Sequence, residues 1–218
     1  MEEEEQKDAD ILMKIGLNRE FYTEYAEIAE PDRMIVLVNK YRQLPMEYEP
    51  CDLERICPEF ADGELLLRHE ARSAFETMCR CAVQDNIFLR AISTYRSYSY
   101  QKKVYDSKWQ QTFTLEEYRK ERDKVSARAG FSEHQTGLAV DINDLEQTFE
   151  ATEEGKWLAA HAYRYGFILR YPKGKERITG YDFEPWHYRY LGSELAESVY
   201  FSKLTYDEYY IKYLASYE

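Results

Sequence analysis

Apolar positions along the chain switch repeatedly between helical and strand spacing, in stretches too short for anything but a mixed fold. Ile11, Leu12, Ile15, Phe21, Tyr22, Tyr25 and Ile28 recur at loose helical steps, so residues 11–30 read as a helical segment. Residues 34–38 (MIVLV) form a β-branched run and read as a strand. Residues 44–58 hold Pro45, Pro50 and Pro58 among turn-prone acids and read as an extended connector. Ala71, Ala74, Phe75, Met78 and Ala82 then mark one apolar stripe of a helix. Residues 87–92 (IFLRAI) read as a strand, and residues 98–110 as a helix with Gln101, Val104, Tyr105, Lys108 and Trp109 along one side.

The second half is better punctuated. Thr114 with Glu117 makes a capping box, predicting a helix from Leu115, and Thr205 with Glu208 predicts another over residues 206–216. Residues 157–165 read as a helix stopped by Gly166. Residues 138–142 (LAVDI), 167–169 and 186–190 are strand candidates. Helices and strands interleave with no repeat, which predicts a single α+β domain.

Composition narrows the partners. The 218 residues suit one domain with a real core, and 44% hydrophobic with 32% charged residues excludes a disordered chain. A net charge of −12 argues against nucleic acid and anionic membrane surfaces, which need clustered cation. No apolar run approaches the ~18 residues that span a bilayer. The opening MEEEEQKDAD reads as a solvated acidic lead and is the opposite of a secretory signal. Of Cys51, Cys57, Cys79 and Cys81, only the first two are placed for a local disulfide, and reduced thiols are the default reading.

Four histidines carry the candidate chemistry. His69 lies between Arg68 and Glu70 at a helix start and reads as a surface residue; His161 lies between alanines and reads as packing. His134 lies in residues 132–141 (SEHQTGLAVD), and His187 in residues 184–188 (EPWHY). His134, Asp141 and His187 are a possible catalytic zinc set of three protein ligands, with Glu184 left over as a base for the attacking water. In an unbroken strand His134 and Asp141 would point to opposite faces, so convergence needs a bend at Gly137. Spacing alone leaves a second reading, a buried His–Asp hydrogen bond beside an unrelated aromatic strand.

Residues 132–141 and 184–187 (EPWH) resemble the two zinc motifs of the VanY-type D-alanyl-D-alanine carboxypeptidases, a metallopeptidase family that includes D,D-dipeptidases and L,D-carboxypeptidases. Residues 34–45 (MIVLVNKYRQLP), 95–101 (YRSYSYQ) and 166–190 resemble family segments in the same order, so the likeness covers about residues 34–192. Two positions depart from the pattern. Ala129-Gly130 stands where the family commonly has Pro-Gly, and Thr94 stands where a glycine is usual, a change expected to touch no ligand.

The resemblance implies a single domain of the Hedgehog/D,D-peptidase-like kind: a small central antiparallel sheet with flanking helices and one zinc ion on the sheet. Residues 1–33 would be the acidic lead and N-terminal helical segment, 34–192 the catalytic domain, and 193–218 a C-terminal helical segment packed on it. It further implies His134, Asp141 and His187 as zinc ligands, Glu184 as catalytic base, and Arg96 as the cation that steadies the carbonyl and developing oxyanion. Ser132 and Gln101 match substrate-contacting positions. Trp186, beside His187, is open to either a pocket-wall or a packing role. The basic stretch 170–177 (RYPKGKER) reads by default as a solvated loop.

The implied activity is zinc-dependent removal of C-terminal D-alanine from peptidoglycan stem peptides. The alternatives are an L,D-carboxypeptidase, a D,D-dipeptidase, or a non-catalytic peptidoglycan-binding module, which the spare Glu184 opposes. The substrate points to the cell envelope, and the acidic opening to the cytoplasm.

Overall fold

The protein is described by a computed structural model over residues 20–107 and 114–215. The chain enters through a turn into β1 (Ala26–Glu27), which pairs in parallel with β2 (Arg42–Gln43). The helix expected over residues 11–30 is therefore absent from its described part, residues 20–30; the remainder, like the acidic lead, lies outside the described residues. The strand expected at residues 34–38 does not form either. Val36, Leu37 and Val38 are buried, but side chains satisfy the carbonyls here. Arg189 donates from Nη2 to the carbonyls of Met34 (2.9 Å) and Val36 (2.8 Å), and Arg42 from Nε to that of Leu37 (3.2 Å). A buried backbone needs partners, and guanidinium groups supply them without a ladder.

The connector holds a short hairpin half, β3 (Leu53–Arg55), which pairs antiparallel with β4 (Leu66–Arg68). Helix α1 (His69–Gln84) follows, and of its expected stripe Ala71, Phe75, Met78 and Ala82 have no exposed surface, Ala74 is partly buried, and Cys79 joins them in the core. Strand β5 (Ala91–Ser93) starts later than residues 87–92 suggested. Helix α2 (Tyr98–Asp106) is capped by Ser97, whose side chain accepts from Tyr100 N; Lys108 and Trp109 lie outside the described residues. Helix α3 (Leu115–Val125) carries the predicted capping box at both ends of the Thr114–Glu117 exchange.

Next come β6 (Ala139–Ile142), α4 (Glu153–His161), β7 (Phe167–Leu169), α5 (Glu176–Thr179) and β8 (His187–Tyr190). A single 3-10 turn after α4 ends at Gly166, whose φ of 85° is the left-handed stop expected there. Helix α6 (Ser193–Ser202) and α7 (Tyr206–Tyr209), the latter opened by the Thr205–Glu208 capping box, come last, and a π-helical segment (Tyr210–Leu214) continues α7 where an unbroken helix was expected.

The main sheet has the order β5-β6-β8-β7, antiparallel throughout. Every residue of β6 and β8 is buried, so both faces are covered and the strands serve different ends by alternation. Val140, Ile142, Tyr188 and Tyr190 join the large apolar core that includes the buried stripe of α1. Asp141, His187 and Arg189 are the intervening residues and share the other, ionic face. Helices α6 and α7 build a second apolar cluster with Leu37 and Ile168, through Ala196, Val199 and Tyr206. All four cysteines are free thiols, so the Cys51–Cys57 bridge is not made; burial pushes the Cys79 thiol up to about 12. Among the described residues no helix is long and apolar enough to cross a membrane.

Candidate active site

Asp141 and His187 are direct cross-strand partners on β6 and β8, so the pleat itself sets their side chains on one face. His134 reaches them by another route. It lies on a 3-10 turn, Glu133–Thr136, opened by Ser132, whose Oγ accepts from His134 N at 3.3 Å. Gly137 ends that turn at φ 66° and redirects the chain into β6. The unbroken-strand geometry that would separate His134 from Asp141 therefore never arises. A Cβ at Gly137 would stand 2.8 Å from Leu53 Cδ2 and 3.0 Å from Arg68 Cγ. With left-handed backbone costing a β-carbon residue roughly 1–2 kcal/mol, Gly137→Ala should lower the melting temperature by about 2–8 °C. Calorimetry on the two proteins checks this; an unchanged transition means the turn relaxes at no cost.

His134 Nε2 lies 3.2 Å from Asp141 Oδ2, and His187 Nδ1 lies 3.1 Å from Asp141 Oδ1. One donor atom from each residue falls within 4.8 Å of the others. Zinc bonds of about 2.0–2.1 Å in a tetrahedron separate ligand atoms by about 3.3 Å, so this donor set fits such an ion. His134 Nδ1 is held at 2.7 Å by the carbonyl of Thr94, which fixes the ring with Nε2 inward. Position 94 thus meets a candidate ligand only through its backbone carbonyl, which a glycine would present equally.

Burial and neighbouring charges shift each member of the cluster in its own direction. Burial and the Arg96 cation lower His134 to about 4. Burial alone would lower His187 as well, but the neighbouring Asp141 and Glu133 carboxylates win and push it up to about 9. Burial would raise Asp141, yet the two imidazoles hold it well below the ordinary carboxylate range. Glu184 is pushed up to about 8 by burial and by the neighbouring Asp141 charge. Its Oε2 stands 3.5 Å from His187 Nδ1, and its backbone is tied by Glu184 N to Tyr171 O at 3.2 Å.

Arg96 enters from the loop before α2. Its Nη2 donates to Asp141 Oδ2 (2.8 Å) and Ser93 Oγ (2.7 Å), and Nη1 donates to Gln101 Oε1 (3.1 Å). Gln101 is engaged at both ends, because its Nε2 donates to Ala127 O at 2.7 Å. The sequence suggested a substrate contact; in the structure this amide holds Arg96. A cavity of about 470 Å³ is lined by His134, Asp141, His187, Glu184, Arg96, Gln101, Ser132 and Trp186, so all the predicted site residues meet in one place. Trp186 is half-buried there and also packs on the main core. His69 and His161 lie elsewhere: His69 pairs with Glu54 at 2.9 Å on the surface, and His161 stacks on Trp157.

Residues 64–193 match the family of VanY D-alanyl-D-alanine carboxypeptidases. The chain belongs to that family. The VanY-type chain is 43% identical over 195 residues to YodJ of Bacillus subtilis (strain 168), covering 85% of this chain and 70% of that protein. Its fold is similar to the LD-carboxypeptidase LdcB, at 41% identity and a TM-score of 0.78, covering 85% of this chain and 89% of that one. It is also similar to a vancomycin-resistance D,D-pentapeptidase VanY variant in complex with Zn(II), at 32% identity and a TM-score of 0.70, covering 81% and 98%.

Two residues of the VanY-type chain escaped the reading by sequence. Arg170, placed in a solvated loop, is 1% exposed and donates from Nε to Glu133 Oε1 at 2.8 Å. Glu133 itself is 1% exposed. The only signal for it was a carboxylate adjoining His134 inside the motif.

Proposed function

We propose that the protein is a zinc-dependent D-alanyl-D-alanine carboxypeptidase that removes the C-terminal D-alanine of peptidoglycan stem peptides. The observation that carries this is the convergence of His134, Asp141 and His187 with Glu184 and Arg96 in one cavity. His134, Asp141 and His187 would hold the zinc ion, which supplies Lewis acidity to the scissile carbonyl and makes water easier to deprotonate. Glu184 takes the proton from the attacking water and returns it to the leaving amine. A carboxyl pushed up to about 8 suits both halves of that exchange. Arg96, braced by Ser93 and Gln101, presents its guanidinium to the oxygen on which negative charge develops. Ser132 and Trp186 border the bound peptide, with Phe183 and Tyr171 limiting water. Residues 34–192 form the catalytic unit, and the segment after them packs on the same domain.

Within the family an L,D-carboxypeptidase is the second reading, favoured by the likeness to LdcB at 41% identity. The two differ in the stereochemistry of the residue before the scissile bond. Zinc-loaded protein incubated with stem pentapeptide, stem tetrapeptide and free D-Ala-D-Ala, with products identified by mass, tests them together. The D,D-carboxypeptidase shortens the pentapeptide by one alanine. Cleavage of the tetrapeptide alone establishes the L,D activity, and cleavage of the dipeptide alone a D,D-dipeptidase. A protein that holds zinc and cleaves none of them is a binding module. One zinc per chain is expected by elemental analysis, unchanged in His69→Ala and His161→Ala.

A further inference from the structure

On the ionic face of the sheet, behind His187, sits a carboxylate with one oxygen fully occupied and the other unused. Glu133 Oε1 accepts from Arg170 Nε at 2.8 Å and from Arg189 Nη1 at 3.0 Å. Glu133 Oε2 is buried without a hydrogen-bond partner, and so is Nε2 of His187. These two unpartnered atoms face each other across 3.7 Å. That is slightly too long for a hydrogen bond, and a shift under about 1 Å closes it. The opposite nitrogen of the same ring, Nδ1, points at Asp141 and Glu184. His187 therefore stands between a carboxylate outside the site and the donor set inside it.

The rest of the network fixes Glu133 in place. The Arg170 and Arg189 side chains are at most 1% exposed, as is that of Glu133. Arg170 Nη1 donates to Asp207 Oδ2 at 2.5 Å, and Asn39 Nδ2 donates to Asp207 Oδ1 at 2.8 Å. Two buried cations thus face two buried anions, and the second anion comes from α7. Burial would raise the Glu133 carboxyl, but the arginines outweigh it and hold it far below its usual range.

We propose that Glu133 is a positioning residue: it fixes the His187 ring with its proton on Nε2, leaving Nδ1 as the inward donor, and Arg170 and Arg189 hold Glu133 for that task. Ligating histidines commonly give their second N–H to a carboxylate, and the loss of such a partner weakens metal binding about 10–100-fold. The inference rests on the zinc reading above, so its test reads metal affinity and not peptide hydrolysis.

Zinc dissociation constants should be measured by chelator competition on wild type, Glu133→Gln and Asp207→Asn, with thermal transitions of each. Glu133→Gln should bind zinc about 10–100-fold more weakly. Asp207→Asn removes a buried charge partner of Arg170 without touching His187, so it should lower the melting temperature and leave the zinc constant near wild type. A folded Glu133→Gln protein with the wild-type constant overturns the proposal, leaving Glu133 as a counter-ion for two arginines. Equal weakening in both variants also overturns it, since general destabilisation would then explain the loss. A wild type that binds no zinc fails the function proposed above instead. Should Glu133→Gln not fold, the wild type decides: long-range nitrogen–proton spectra of the zinc-loaded protein should show the His187 proton on Nε2, exchanging slowly. A rapidly exchanging Nε2 proton, or one on Nδ1, rejects the assignment.

Discussion

Glu184→Gln is expected to keep its zinc and its fold while losing about 10²–10⁴ in kcat, the contribution of a positioned proton-transfer group. Glu184 is 8% exposed and its carboxylate sits 3.5 Å from His187, close to the donor set but outside it. The amide of glutamine has nearly the same shape, so Phe183, Tyr171 and the EPWH turn need not move. It has no useful basicity, so the attacking water keeps its proton. Asp141→Asn should fail in the opposite way. Asp141 is approached by both imidazoles, at 3.2 and 3.1 Å, and by Arg96 at 2.8 Å. A neutral amide there is a poorer metal ligand, so activity should fall because zinc is lost. Zinc content and D-alanine release measured in parallel separate the two. Loss of zinc from Glu184→Gln with retention in Asp141→Asn would reverse the roles. Normal turnover by Glu184→Gln would place the base elsewhere.

Arg96→Ala should lower kcat by about 10²–10³, the cost of removing one donor to a developing oxyanion. The structure sharpens the test, because Arg96 also pairs with Asp141 and so has a purely structural part to play. A structural role would appear in zinc affinity or stability and vanish once the protein is saturated with metal. An oxyanion role persists in kcat at saturating zinc and peptide. Arg96→Lys should recover only part of the rate, because an ammonium lacks the planar fork that bonds Ser93, Gln101 and Asp141 at once. Wild-type turnover by a metal-saturated Arg96→Ala protein would assign Arg96 to structure alone.

Much of the site was legible because its chemistry is written in short motifs. His134, Asp141, Glu184 and His187 lie in two segments that resemble the family's zinc motifs, and that likeness, where spacing alone left a second reading open, singled them out. The helices were legible where local signals set them: the stripe of α1 and the capping boxes at Thr114 and Thr205 act within a turn or two of chain. Where long-range contacts decided the backbone, reading failed. Residues 34–38 have every β propensity, yet arginines from β8 and β2 take their carbonyls. Residues 20–30 have helical spacing, but Ala26 and Glu27 within them pair with β2 instead. Gln101 lines the cavity to which its position in the motif assigned it, and only three dimensions show its amide also bonded to Arg96 and Ala127.

The sequence by itself determined the α+β class, the starts of the capped helices, the family, and which four side chains could bind metal and move a proton. These follow from spacing and residue type, which act locally or are stated outright by the motif. Tertiary structure alone decided that Asp141 and His187 are cross-strand neighbours, that Gly137 turns His134 toward them, and that Arg170 is buried. It alone joined Glu133 to α7 through Arg170 and Asp207. Burial and ionic pairing depend on segments far apart in the chain, and a charged residue reads as solvated until its partner is placed beside it.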